Sequence, residues 1–82
     1  SFHLLKADLL FELKRYDDAL KTLNKIESEA QKVVIEVLVR KGDVYAKLLQ
    51  REKSLRYWKE AQLLGADSEK LIEKIERGRY VE

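Results

Sequence analysis

An all-α fold of about five helices, paired antiparallel, is what this 82-residue chain predicts, and three observations predict it. There is no proline and there are three glycines, so helices can run long without interruption. Apolar residues recur at helical spacing in each segment between the turns. The chain also repeats itself at an offset of 35 residues. Ala7 then falls on Gly42, Leu10 on Tyr45, Ala19 on Ser54 and Leu23 on Trp58, small on small and large on large. Lys6/Lys41, Asp8/Asp43, Leu13/Leu48 and Leu20/Leu55 are identical at the same offset, and only Ile26 against Ala61 mismatches in size. Such a period marks stacked helix pairs.

The first helix spans residues 2–14, with Phe2, Leu5, Leu9 and Leu13 in one apolar line and Leu4, Leu10 and Phe11 broadening it. Lys14-Arg15-Tyr16 makes the turn. Asp17 and Asp18 open the second helix, where the positive end of the helix dipole favours them, and the helix is expected to reach about Ser28. The run Val33-Val34-Ile35-Glu36-Val37-Leu38-Val39 has strand propensity. It is nevertheless assigned to the third helix, because Val34, Leu38, Tyr45 and Leu49 keep helical spacing and a lone strand would have no partner. Leu49-Gln50-Arg51 leaves room for only a short turn, which makes the third and fourth helices antiparallel. In the fourth helix, residues 51–64, Ser54, Trp58 and Ala61 share a face. Gly65 suits a left-handed position past its end. Asp67 or Ser68 caps the fifth helix, whose narrow stripe of Leu71, Ile72 and Ile75 is surrounded by Glu69, Lys70, Glu73, Lys74, Glu76 and Arg77. That is the pattern of a closing helix, apolar inward and polar outward. Gly78 ends it, and residues 79–82 are expected to fray.

Composition narrows the function classes. With no cysteine there is no disulfide and no thiolate metal site. Seventeen basic against fifteen acidic residues leave a net charge of +2, too little to imply a polyanion partner. No apolar run approaches the ~18–20 residues of a membrane span, and the SFHLLK start lacks the layout of a signal peptide. The absence of methionine, an initiator included, is expected of a piece of a longer protein.

The repeat resembles the tetratricopeptide family. Gly42-Asp43-Val44-Tyr45 matches the first half of that family's signature, Ser54-Leu55-Arg56-Tyr57-Trp58 the second with serine for alanine, and Ala61 the next small residue. Tyr16-Asp17-Asp18-Ala19-Leu20 looks like the family's turn into a second helix. The departures are a period one residue longer, Lys6 and Lys41 where leucine is usual, and Ala66 in place of the closing proline. The resemblance implies a short right-handed α-solenoid: two helix-turn-helix repeats, at about 1–30 and 31–66, and a capping helix and tail over 67–82. It further implies a non-enzymatic module that binds a peptide or partner protein in a concave groove and needs no cofactor. The groove positions it implies are Leu4, Asp8, Phe11 and Glu12 in the first copy and Val39, Asp43, Ala46 and Lys47 in the second. Among the matching positions only Lys47 is of a kind with the residues that clamp a terminal carboxylate in some members, so that clamp is not expected. The pentatricopeptide family, with a 35-residue period, is the nearest rival. Its RNA-binding function would need polar base-reading side chains and a basic groove, whereas Leu4, Val39 and two aspartates stand here. Self-association through an uncapped first helix is a third reading.

Catalytic chemistry finds little support. His3 is the single histidine and has no converging partners in the pattern, so it is assigned to packing or surface. Asp8 and Glu12, four apart, read as a solvated or partner-facing pair. Tyr57-Trp58 could pass for a nucleic-acid stacking platform, but the repeat places Trp58 between helices. Arg77, Arg79 and Tyr80 read as a solvated end.

Trp58 carries the clearest consequence. Truncating a buried indole typically costs about 3–5 kcal/mol, and a domain this small has about 5 kcal/mol to lose. Trp58→Ala is expected to leave the chain largely unfolded and Tyr57→Ala to be milder, as read in circular-dichroism melts; a Trp58→Ala melt close to wild type would place the indole on the surface.

Overall fold

Helices α1 (Phe2–Glu12), α2 (Tyr16–Asn24), α3 (Gln31–Lys47), α4 (Arg51–Leu63) and α5 (Glu69–Arg77) make up the chain in the computed structural model, which describes residues 2–82. There is no strand among the described residues. The valine-rich run lies inside α3, and the packing explains its composition. Val37, Val44 and Leu48 face a first apolar cluster beneath α1 and α2, built on Leu4, Ala7, Leu10, Ala19 and Leu23. Val34, Ile35, Leu38, Val39 and Ala46 face a second, shared with Trp58 and Ala61 of α4 and Leu71 of α5. A helix buried on two sides needs apolar residues at adjacent positions, which erases the usual amphipathic stripe.

The two helix pairs are joined by the same turn. Arg15 N–H donates to the Leu10 carbonyl at 2.8 Å and Lys14 N–H to Phe11 at 2.9 Å; Gln50 N–H donates to Tyr45 at 2.9 Å and Leu49 N–H to Ala46 at 3.0 Å. Lys14 and Leu49 both take the left-handed conformation, at φ 61°. This is the closing pattern in which glycine is usual at the left-handed position. Neither copy has glycine there, so the turns are carried by their hydrogen bonds and by the packing of the helices on either side. Around these turns α1 packs on α2 and α3 on α4, and α2 also contacts α3 and α4 contacts α5.

Several boundaries depart from the sequence expectation. Helix α1 ends at Glu12, two residues before Lys14, which turns left-handed and closes it, and α2 already begins at Tyr16. Helix α2 stops at Asn24, not near Ser28. The Lys25 and Ile26 N–H groups tighten onto Thr22 and Leu23, three residues back. Ser28 then accepts the Ala30 N–H at 3.2 Å, a local bond that competes with helix continuation. The α4 end, one residue short of expectation, is ordinary fraying. Helix α5 is capped as its sequence indicates: Ser68 Oγ accepts the Leu71 N–H at 3.1 Å, and Gly78 closes the helix at φ 65°.

Trp58 is wholly buried. Its indole packs against α3 at Gly42, where a Cβ would collide with the ring's Cδ1, Nε1 and Cγ. Ser54, one turn earlier on α4, is also buried and donates its hydroxyl to the Gly42 carbonyl at 2.8 Å. Tyr45 takes no part in this contact. It stacks on Tyr57, ring centroids 5.5 Å apart and planes 2° from parallel. The prediction that follows concerns Gly42. Alanine is the better helix former by about 1 kcal/mol, yet overpacking against an immobile ring costs about 1–3 kcal/mol. Gly42→Ala should lower the melting temperature despite its helix propensity, and Ala7→Gly at the repeat-equivalent site should lower it through propensity alone. Thermal melts followed by circular dichroism distinguish the two, because Gly42→Ala in a Trp58→Leu background should lose most of its penalty.

Candidate functional site

Between α1 and α3 lies a concavity of about 230 Å³ lined by Asp8, Phe11 and Glu12 from α1 and by Arg40, Asp43 and Val44 from α3. Ala7 and Leu23 form part of its floor, and Tyr80 closes one side. Four of the eight groove positions implied by the repeat, Asp8, Phe11, Glu12 and Asp43, therefore meet around one space. Lys47 stands one turn on, in an adjoining depression with Phe11, Glu12 and Tyr16. The other three lie elsewhere. Leu4 is buried in the first cluster, since the face of α1 that carries Leu4, Ala7 and Leu10 turns toward the core. Val39 and Ala46 are half-buried against the second cluster.

The charges of this site are largely matched within it. Asp8 accepts two hydrogen bonds from Arg40, Nε to Oδ1 at 2.8 Å and Nη2 to Oδ2 at 3.1 Å, a forked contact that ties α1 to α3. Arg40 also donates to the Glu36 carbonyl at 3.2 Å. Burial works against the guanidinium charge, but the Asp8 hydrogen bonds and charge, with Glu36 and Asp43 behind them, outweigh it and raise its already high pKa.

Asp43 is held more tightly. Its Oδ1 accepts both the Trp58 Nε1–H at 3.1 Å and Lys74 Nζ at 2.8 Å. Lys74 is 7% exposed, whereas the sequence assigned it to the polar side of α5. It falls three residues after Leu71 on the same stripe, so its spacing could have disclosed it. Burial pushes the Asp43 carboxyl above its ordinary range, against the pull of Lys74, Trp58 and Arg40.

The tail does not fray from the body. Tyr80 is half-buried and rests on Phe11, ring centroids 5.3 Å apart. Lys47 Nζ lies 4.7 Å and Lys74 Nζ 5.0 Å from its ring centroid, within cation–π range. Burial first, then the nearby carboxylates led by Asp43, raises the Tyr80 phenol pKa. Sequence reasoning also missed Arg40, whose repeat partner is the apolar Leu5. A charged residue where the other copy has leucine was the available signal. Among the described residues no group of three histidine, cysteine or carboxylate side chains gathers in metal-binding geometry. No described helix is long and apolar enough to cross a membrane. No protein-family model matches the chain, and no curated protein or solved structure matches it.

Two outcomes follow for the Asp43 cluster. Asp43→Ala strips the acceptor from both Lys74 and the Trp58 N–H, and leaving a buried charge unpaired costs about 3–5 kcal/mol. Lys74→Met leaves Asp43 bonded to Trp58 near Arg40 and should be milder in denaturant titrations. The pH dependence has a definite sign. The folded state holds the Asp43 proton more tightly than the unfolded chain, so this group's contribution falls as pH rises from the ordinary 3.8 through the raised value. The penalty of Asp43→Asn should therefore be larger at acid pH than at neutral pH; growth toward neutrality would mean that Lys74 holds the carboxyl down.

Proposed function

We propose that this chain is a non-enzymatic protein-interaction module of the tetratricopeptide-like kind, a short right-handed solenoid that receives a segment of a partner in the space between α1 and α3. The observation that carries this reading is the coming together there of repeat-equivalent residues. Asp8 and Asp43 occupy the same place in the two copies, and both line one concavity with Phe11 and Glu12. Concave surfaces of stacked helix pairs are where such folds bind. The aromatic wall of Phe11 and Tyr80 suits an apolar or aromatic anchor side chain, while Glu12 and Lys47 on the rim offer one charge of each sign. With Asp8 and Asp43 already paired, their part is to hold the walls in place.

Binding should be tested on a peptide array, with hits verified by calorimetric titration. Phe11→Ala and Glu12→Lys should each weaken a verified peptide by about tenfold. Lys59→Glu, on an exposed position of α4, should leave it unchanged. Equal affinities in all three variants would remove the groove from consideration. A filter-binding assay with single-stranded RNA at low salt serves as the counter-test: tight binding with a steep salt slope would replace this reading with nucleic-acid binding.

A further inference from the structure

One wall of the concavity does not belong to a helix. Asp8, Phe11 and Glu12 stand on α1 and Arg40, Asp43 and Val44 on α3, but Tyr80 stands on the segment that follows α5. Gly78 turns that segment off the helix at φ 65°, and the Arg51 guanidinium fills the place a Cβ would take. The Arg79 N–H still reaches the Lys74 carbonyl at 3.3 Å. Beyond it, among the described residues, Tyr80, Val81 and Glu82 make no hydrogen bond and no ion pair.

The Tyr80 ring is what holds the segment. It rests on the Phe11 ring, with the Lys47 and Lys74 ammonium groups in cation–π contact on either side. Glu82, two residues on, lines the adjoining depression with Lys14 and Tyr16, so the segment runs from the concavity toward the α1–α2 turn. Phe11 and Lys47 are groove positions implied in the first and the second copy, and both receive it. A segment without regular structure, seated through one aromatic side chain, has the features of a bound peptide, whose affinity gathers in a single anchor. Opening it breaks no backbone hydrogen bond past Arg79, which puts it at the low-stability end of the molecule.

We propose that residues 79–82 are a ligand in cis for the groove between α1 and α3, and that the partner taken in trans is an unstructured segment whose aromatic side chain displaces Tyr80 from Phe11. This inference rests on the groove reading and deepens it, naming the anchor and adding a competitor for its seat. The short tether from Gly78 keeps Tyr80 at a high local concentration, so the closed form dominates. A partner's apparent affinity is then reduced by the fraction of molecules that are open. With nine closed molecules for each open one, that reduction is about tenfold.

The probe is the peptide Arg-Gly-Arg-Tyr-Val-Glu, the sequence of residues 77–82 with both ends blocked, titrated to about 1–5 mM into the full chain labelled with carbon-13. In the wild-type chain, the nuclear Overhauser effect between the Phe11 and Tyr80 rings should fade as peptide is added, while that between Phe11 and Tyr16 persists. Tyr80→Ala should keep the wild-type helicity and bind the peptide about tenfold more tightly than wild type does. Phe11→Leu in that background keeps an apolar side chain in the first cluster but removes the ring, and should weaken the peptide at least about fivefold. A peptide with alanine for tyrosine should bind neither chain. Equal affinity of wild type and Tyr80→Ala overturns the proposal, as does binding that survives loss of either ring, or a Phe11–Tyr80 effect that peptide leaves untouched. Array peptides that need Phe11 yet bind wild type and Tyr80→Ala alike would uphold the groove and overturn the competition alone, whereas the absence of any Phe11-dependent peptide would remove both.

Discussion

One contact sets the geometry of three helices: the Trp58 indole seated on Gly42. It brings α4 against α3 at backbone distance, which is possible only because Gly42 has no side chain and Ser54 a small one. The indole N–H then fixes Asp43, and Asp43 in turn takes Lys74 from α5. A ring, a carboxylate and an ammonium therefore join α3, α4 and α5 through a single carboxylate oxygen. Burying a charged pair is not in itself a source of stability. What it does here is give α5 one position on the stack, since only one register along α5 presents Lys74 to Asp43.

The same arrangement explains the character of the groove. Its wall charges serve the fold first: Asp8 holds Arg40 across from α1 to α3, and Asp43 holds the cap. On the proposed reading, the side chains left for recognition are the aromatic wall and a few rim charges, a surface suited to apolar anchors more than to net charge, in keeping with a chain whose basic and acidic residues nearly balance.

Much of this was legible in the sequence, for reasons that can be named. The helices of α1, α4 and α5 carry their own punctuation: charged turns, Ser68 before α5, Gly78 after it. Trp58 could be placed because a large residue between two small ones, repeated as Leu23 one turn after Ala19, has one sensible location. The 35-residue offset pairs not only side chains but the backbone bonds of the two turns, although both lack the glycine that usually marks them. What could not be read were partners that lie far along the chain. Spacing puts Lys74 on the Leu71 stripe, but it does not name Asp43, 31 residues away, as the group that receives it. Tyr80 has no periodic neighbours to declare that Phe11 will receive it. The early end of α2 depended on a competition between Ser28 and the helix that propensity alone does not decide.

The position of Trp58 also determines what the molecule reports about itself. It is the chain's single tryptophan, and its ring is packed in the second cluster among residues of α3, α4 and α5. Intrinsic fluorescence therefore reports chiefly on the second cluster, while far-ultraviolet ellipticity registers every helix. The two signals trace one curve only when the clusters come apart together, and α3, which belongs to both, is the element that makes them do so. Any gap between the two traces measures how much cooperativity that one helix transmits.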